Sequence, residues 1–370
     1  MATILIPTIP DDMHAAAVTC VLERTGHRVL RWRCADFPEH GSISIATGST
    51  DSRIDIADAA GGLIDAQPDV YWNRRIARPV IATAMDPADR RFALREAATL
   101  LAGALDLTSR LAFAVNPPAA AARAENKPVQ LVAARELGFA LPDTLVSNDP
   151  ARIRRFVRRH AEGGAVYKAF RPVTWESPGR YASLYTARVD ESMLPDDGLL
   201  RASPGIYQAL VPKACELRVT CIGDEAIAAR LDSQATRTGK TDWRLAAVHD
   251  LQVEPYALSE SLQQRCRALL ASLGLVFGCI DFIVTPDGEH VFLEVNQMGQ
   301  FLWVEEVCPD LPLLDTFCSF LASRDPHYRR PAHAKPRHAF ADVLPEARAM
   351  LDAESDRHVR PASDLHVVQE

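Results

Sequence analysis

The sequence has no cysteine spacing that could hold a metal. Its eight cysteines (Cys20, Cys34, Cys215, Cys221, Cys266, Cys279, Cys308 and Cys318) form no CxxC pair, and no Cys/His cluster has zinc spacing. That pattern predicts scattered free thiols in a reducing compartment. Long apolar runs are missing too. None approaches the roughly 20 residues that span a bilayer, and Met1 to Pro10 has neither a basic stretch nor a long apolar core of the signal-peptide kind. The expectation is a cytoplasmic protein without a membrane partner. The chain also lacks a basic run and carries a net charge of -7. This excludes nucleic acid as the main partner, because phosphate backbones demand clustered Lys and Arg. An anionic ligand would need a local basic pocket. There are no internal repeats.

What is present is an ordinary globular composition. The 370 residues are 48% hydrophobic and 24% charged, enough for two or three modules with a sizeable core. The start alternates strand and helix. Thr3 to Ile6 reads as a strand ended by Pro7, Asp11 or Asp12 can cap a helix through Leu22, and Gly26 closes it. Val29 to Trp32 and Val70 to Trp72 read as further strands. Asp86-Pro87 opens a long Ala/Leu-rich helix, with proline at its first position. Together these predict an open α/β domain over residues 1–115. Asn116-Pro117-Pro118 breaks the pattern. Helices near Pro128 to Leu137 and Ala151 to His160, and a strand Val166 to Lys168, form a second unit over 116–204. A hairpin-rich third unit spans 205–324, with one helix around Ser259 to Leu273. Residues 325–370, rich in Pro, His, Arg and Asp, read as a mobile tail.

The sharpest chemical signal is the run from Cys279 to Asn296. Asp287-Gly288 predicts a two-residue hairpin turn, which would set Asp281 opposite Glu294, Phe282 opposite Leu293, and Val284 opposite Val291. Side chains alternate between faces. Phe282, Val284, Val291, Leu293 and Val295 would then form an apolar core face. Asp281, Glu294 and Asn296 would share the other. Two carboxylates directly opposite on paired strands repel, and a cation between them removes that penalty. Oxygen donors of this kind suit magnesium, which takes its remaining ligands from water and phosphates. The bland alternative is a solvated face with coincidental acids.

Positive charge is available nearby in sequence. Lys168 lies in an apolar strand, where a lysine needs an anionic partner. Lys127 precedes a helix, beside Asn126. Glu216 and Arg218 share one face of a strand, two residues apart. The Gly223-Asp224 turn leaves Arg230 on the opposite face from Arg218 if it has two residues, and brings them together if it has three. Arg237, Lys240 and Arg244 follow in a polar stretch. Each of these charges, taken singly, also fits a surface residue.

In their order along the chain these stretches resemble the ATP-grasp superfamily: Asn126-Lys127 with Leu141-Pro142, Val166 to Lys168, Gln208 to Val211, Glu216-Leu217-Arg218, Asp242-Trp243-Arg244, Asp281, and Glu294-Val295-Asn296. Tyr71 to Arg75 and Asn296 to Trp303 are similar to the graspetide synthetases within it, although that family usually shows Asn-Pro-x-Gly-Gln where this chain has Asn296-Gln297-Met298-Gly299-Gln300. The resemblance implies an ATP-grasp fold preceded by an open α/β pre-ATP-grasp domain, with ATP and Mg2+ as cofactors. It implies that Lys127 and Lys168 contact ATP phosphates and adenine. Gln208, Ala209 and Leu210 would line the adenine, and Glu216 would sit near the nucleoside. Arg218, Arg244 and Lys168 would serve the transferring phosphoryl group, and Asp281, Glu294 and Asn296 the magnesium. Relatives often carry a glycine-rich phosphate lid where Arg171 to Tyr181 has only Gly179. The implied partners are a ribosomally made precursor peptide, with leader and core, and a second copy of the chain. The implied reaction joins Asp or Glu side chains of that peptide to hydroxyl or amine side chains. The competing readings are a ligase for free amino acids or a protein C-terminus, and a silent nucleotide-binding protein.

Overall fold

The first strand runs past its proline. In the computed structural model, β1 (Thr3–Thr8) pairs in parallel with β2 (Arg28–Arg33) along its whole length, Pro7 lying opposite Trp32. The residues described are all but 59–61, 65–66, 82–83, 171–172, 178–179, 185, 236–242, 246–249, 332–333, 355–356 and 360–370. Of the two candidate caps, Asp12 is the one used. Its side chain accepts the His14 and Ala15 backbone N–H groups at the start of α1 (Met13–Arg24). A small antiparallel sheet follows, made of β3 (Ser42–Thr47), β4 (Ser52–Ala57) and β5 (Leu63–Ile64). The main sheet is completed by β6 (Val70–Trp72) and, after the Asp86-capped α2 (Pro87–Arg110), by β7 (Phe113–Val115). Its order is β2-β1-β6-β7, all parallel. This is the open α/β domain expected from the alternation.

Two helices lead out of it, α3 (Pro118–Ala124) and α4 (Lys127–Glu136). Next come β8 (Thr144–Ser147), α5 (Pro150–Arg159), β9 (Ala165–Lys168), a hairpin of β10 (Val173–Ser177) and β11 (Arg180–Leu184), β12 (Ala187–Val189) and α6 (Asp197–Ala202). The stretch expected to hold a phosphate lid thus carries that hairpin. Gly179 itself lies outside the described residues. The strand β13 (Gly205–Ala209), read from sequence as the start of the third unit, belongs to the second. It lies between β9 and β8 in a sheet of order β12-β9-β13-β8. The correction follows from pairing, which local patterning does not reveal.

The third unit is an antiparallel sheet of order β16-β15-β14-β17-β18. Its strands are β14 (Cys215–Ile222), β15 (Glu225–Leu231), β16 (Val253–Tyr256), β17 (Phe277–Val284) and β18 (His290–Asn296), and α7 (Glu260–Leu273) packs on it. The turn between β14 and β15 has two residues, because Ile222 pairs with Glu225. Arg218 then faces Ala229, and Arg230 lies on the other side of the sheet, paired with Glu254.

The end of the chain corrects another expectation. After α8 (Leu302–Val307) and α9 (Leu313–Ser323), residues Phe340–Glu354 form α10. Phe340, Val343 and Ala347 are buried in one core with α1, α9 and β1. Its polar face holds ion pairs of Glu346 with Arg24 and of Glu354 with Arg31 and Arg33. The apolar spacing of Phe340, Val343 and Ala347 is helical, but the surrounding Pro, His and Arg hide it. Among the described residues, no helix is long and apolar enough to cross a membrane.

Candidate active site

The site grows from a row of charge across three strands. Arg218 on β14 lies opposite Asp281 on β17, and Asp281 lies opposite Glu294 on β18. The pairing of the two carboxylates is the one expected, but the route to it differs. The connection is longer than a two-residue turn: the Gly288 N–H reaches the Thr285 carbonyl, Thr285 N–H reaches the Glu289 carbonyl, and Val284 pairs with His290. Gly288 takes φ 90°, the left-handed region where glycine carries no Cβ penalty. This slips the register by one residue near the turn. A bulge then restores it, because Asp281 pairs with Glu294 while Phe282 pairs with Phe292, leaving Leu293 as the extra residue. Phe292 therefore replaces Leu293 in the core face, beside Ile280, Phe282, Val284 and Val295. The bulge is what aims Glu294 at Asp281 instead of into the core.

Arg218 and Asp281 are 4% and 8% exposed, so their charges must be compensated by protein groups. One guanidinium nitrogen, Nη1, donates to both Asp281 oxygens at 2.9 Å, and Nη2 donates to the Gln300 carbonyl at 3.1 Å. The Arg218 Nε is buried without a hydrogen-bond partner. Asn296 Nδ2 donates to Asp281 Oδ2 at 2.9 Å. Burial works against the charge on Arg218, but Asp281 outweighs it and holds the guanidinium protonated. Burial pushes the Asp281 pKa up, against the attraction of Arg218 and together with the charge of Glu294. Glu294 goes the other way. Burial opposes its charge, yet Lys127, Arg244 and Lys168 outweigh burial and hold its pKa well below the usual carboxylate range.

Lys127 reaches Glu294 because α4 is fixed to β18. The Gln130 side chain accepts from the Val295 N–H and donates to the Val295 carbonyl, each at 2.8 Å. Phe292 N–H donates to the Ala140 carbonyl. An edge strand is thereby covered, and Lys127, the first residue of the helix, is brought into an ion pair with Glu294. Arg244, in a single 3-10 turn (Trp243–Leu245), places Nη1 3.8 Å from Glu294 Oε1. Glu216, two residues before Arg218, is buried and accepts from Lys213 and from the Ser233 hydroxyl. Gln208 is buried, its amide donating to the Thr144 hydroxyl at 3.0 Å. The Ala209 and Leu210 N–H groups donate to the Asp143 and Gly164 carbonyls. Arg237, Lys240 and Asp242 lie outside the described residues.

The two other motifs singled out in the sequence meet behind this row. Arg74 is fully buried, with Nε 3.0 Å from Asp12 Oδ2, and donates to the Met298 carbonyl at 3.1 Å. His14 Nε2 accepts the Phe301 and Leu302 N–H groups at 3.0 and 3.2 Å, at the start of α8. Asn116 bonds both the Phe277 backbone and the Gln297 carbonyl. The first domain thus holds the 297–302 segment whose Gln300 carbonyl receives Arg218. His14, Gln130 and Lys213 carry no site signal in the sequence, and Asn116 reads there only as part of the break before the second unit. An isolated polar residue in an apolar run is the only trace the first three leave there.

The donor set fits a divalent cation bound with a polyphosphate. Asp281, Glu294 and Asn296 bring two carboxylates and an amide together, the oxygen-bearing groups that magnesium takes as ligands. Lysine and arginine side chains stand where positive charge is required. Such a site can hold anionic phosphate between cations and stabilise charge on a group in transfer.

Comparison with known proteins agrees with this geometry. The family described as the MvdD pre-ATP grasp domain matches residues 3–121. A Chryseobacterium gregarium RiPP-associated ATP-grasp ligase, solved with ADP and a leader and core peptide, is 25% identical with a TM-score of 0.79, over 89% of this chain and 100% of that one. The macrocyclase MdnC of Microcystis aeruginosa MRC, solved with its precursor peptide MdnA, is 27% identical with a TM-score of 0.74, over 87% and 99%. MdnB of the same organism, also a macrocyclase, is 30% identical with a TM-score of 0.70, over 86% and 98%. None of the curated proteins matches the sequence.

Proposed function

This chain belongs to the ATP-grasp ligases that act on ribosomally made precursor peptides, the graspetide synthetases, and we propose on that premise that it closes side-chain rings in such a peptide. Mg-ATP phosphorylates an Asp or Glu side chain of the precursor. A hydroxyl or amine side chain of the same peptide then displaces phosphate, giving an ester or amide ring plus ADP and phosphate. The observation that carries the reading is the Arg218–Asp281–Glu294 row, completed by Asn296 and faced by Lys127 and Arg244.

The roles follow from that row. Asp281, Glu294 and Asn296 would hold magnesium, which when bound neutralises phosphate charge. Lys127 and Lys168 would bind the nucleotide's phosphates and adenine edge, exchanging Glu294 for the ligand. Gln208, Ala209 and Leu210 would border the adenine, and Glu216 the nucleoside. Arg218, Arg244 and Lys168 would stabilise the transferring phosphoryl group, a mainly electrostatic task. The chain would work as a homodimer in the cytoplasm. The precursor's leader would dock on the protein and present the core by proximity.

The test is the intact mass of the precursor-like peptide encoded beside the gene, after incubation with the protein and Mg-ATP. Loss of one or more waters, dependent on ATP and on the leader, is the expected result. No change in mass, with ADP released only when free amino acids are supplied, would move the assignment to a small-substrate ligase.

A further inference from the structure

Arg244 differs from the other cations of the site in how it is held. Lys127 begins a helix hydrogen-bonded to β18, and Arg218 lies inside a sheet. Arg244 lies in one short 3-10 turn, and its side chain is 40% exposed. A long side chain on such a turn loses much rotamer freedom when it is aimed at one partner. It is aimed at Glu294 only if the turn itself is anchored.

The anchor is visible at the preceding residue. Trp243 stacks on Trp303, with ring centroids 4.7 Å apart and planes 25° from parallel. The pair packs with Leu231, Leu251 and Val253 in a small apolar cluster, and through Trp303 and Val253 this cluster joins the core that holds Phe301 and Leu302. Trp303 also donates its indole N–H to the Gln300 carbonyl at 3.1 Å, and the same carbonyl accepts Arg218 Nη2 at 3.1 Å. One ring pair therefore touches the supports of both arginines.

We propose that the Trp243–Trp303 stack is a positioning device for the phosphoryl-transfer cations. Trp243 acts through Arg244. Trp303 acts through Arg244, by the stack, and through Arg218, by the carbonyl they share. The inference rests on the functional reading above, in which these arginines face the transferring phosphoryl group. If the tryptophans only filled space, their loss would lower stability and leave the arginines' contribution intact.

A double-mutant cycle on the full-length protein separates the two. The variants are Trp243→Leu, Trp243→Phe, Arg244→Ala and Trp243→Leu/Arg244→Ala. The readouts are the rate of precursor dehydration by mass, Mg-AMPPNP affinity by calorimetry, and the far-ultraviolet circular-dichroism couplet of the stacked indoles. Trp243→Leu should slow dehydration about tenfold or more, the scale of coupled neighbours. It should weaken AMPPNP less than about threefold, since the nucleotide's other contacts remain. Trp243→Phe should restore most of the rate, and the couplet should vanish in Trp243→Leu but persist in Arg244→Ala. Adding Trp243→Leu to Arg244→Ala should cost nothing further. Independent, multiplying losses in the double variant would overturn the proposal, as would an unchanged rate in Trp243→Leu. A wild-type protein that binds AMPPNP but modifies no precursor would instead overturn the functional reading, and this inference with it.

Discussion

Among the described residues, the buried charges around Asp12 and those around Asp281 are built to different rules. In the first domain Asp12 meets Arg74 one to one. Asp12 also caps α1 and accepts from the Thr8 hydroxyl, so its oxygens are committed to neighbours. In the third unit two carboxylates, Asp281 and Glu294, face each other on paired strands, and their cations come from four separate elements: Lys127 from a helix, Arg218 and Lys168 from two different strands, Arg244 from a short turn. A pair pinned by caps holds a fold in place. A pair of acids whose partners arrive from elsewhere can trade those partners for a ligand. Burial of charge alone does not mark a site; the mismatch between the acids and the elements that neutralise them does.

That contrast can be broken most severely at Asp281. Asp281→Asn should reduce ATP-dependent turnover by at least about 10²-fold, the loss typical of removing a charge-stabilising group, while the urea-unfolding midpoint stays close to wild type. Neutralising Asp281 relieves its repulsion from Glu294, and Glu294 remains as a buried counter-charge for Arg218. Asp12→Asn should do the reverse. It leaves Arg74 buried without a counter-charge, which costs about 3–5 kcal/mol, read as a lower urea midpoint with turnover per folded molecule largely kept.

A subtler contrast comes with pH. His14 is buried, and burial, with the nearby Arg74, holds its pKa well below the ordinary 6.5 despite Asp12. The folded state keeps the ring neutral, as its acceptor role toward Phe301 and Leu302 requires. The unfolded chain takes up a proton as pH falls below about 6.5, so the stability His14 contributes is present above that value and is lost on acidification. Chemical denaturation at pH 7.5 and 5.5 should show that loss, and His14→Gln should flatten it.

The smallest effect concerns α10. Val343→Ala should cost about 1–3 kcal/mol of stability, as expected for a buried residue losing two methyl groups. A mobile tail would show no change.

Much of the site was legible in the sequence because strands alternate. Alternation about the Asp287-Gly288 turn puts Asp281, Glu294 and Asn296 on one face and Phe282, Val284 and Val295 on the other, as in the structure, but it also puts Val291 and Leu293 in the core face, where Phe292 lies instead. The bulge at Leu293 was not legible, because one inserted residue leaves no compositional mark. Neither was the approach of Lys127, which depends on Gln130 bridging the edge of β18. The place of β13 in the second sheet and the docking of α10 are likewise facts of long-range pairing. Local residue choice announces elements and faces; it does not announce which edge receives which strand.

The most direct test of the site is divalent-cation binding. Mn2+ titrated into the protein with AMPPNP, followed by electron paramagnetic resonance, should show saturable binding in wild type and its loss in Asp281→Asn, with Asp12→Asn unaffected at pH 7.5. Equal Mn2+ binding by wild type and Asp281→Asn would contradict the assignment of the carboxylate row.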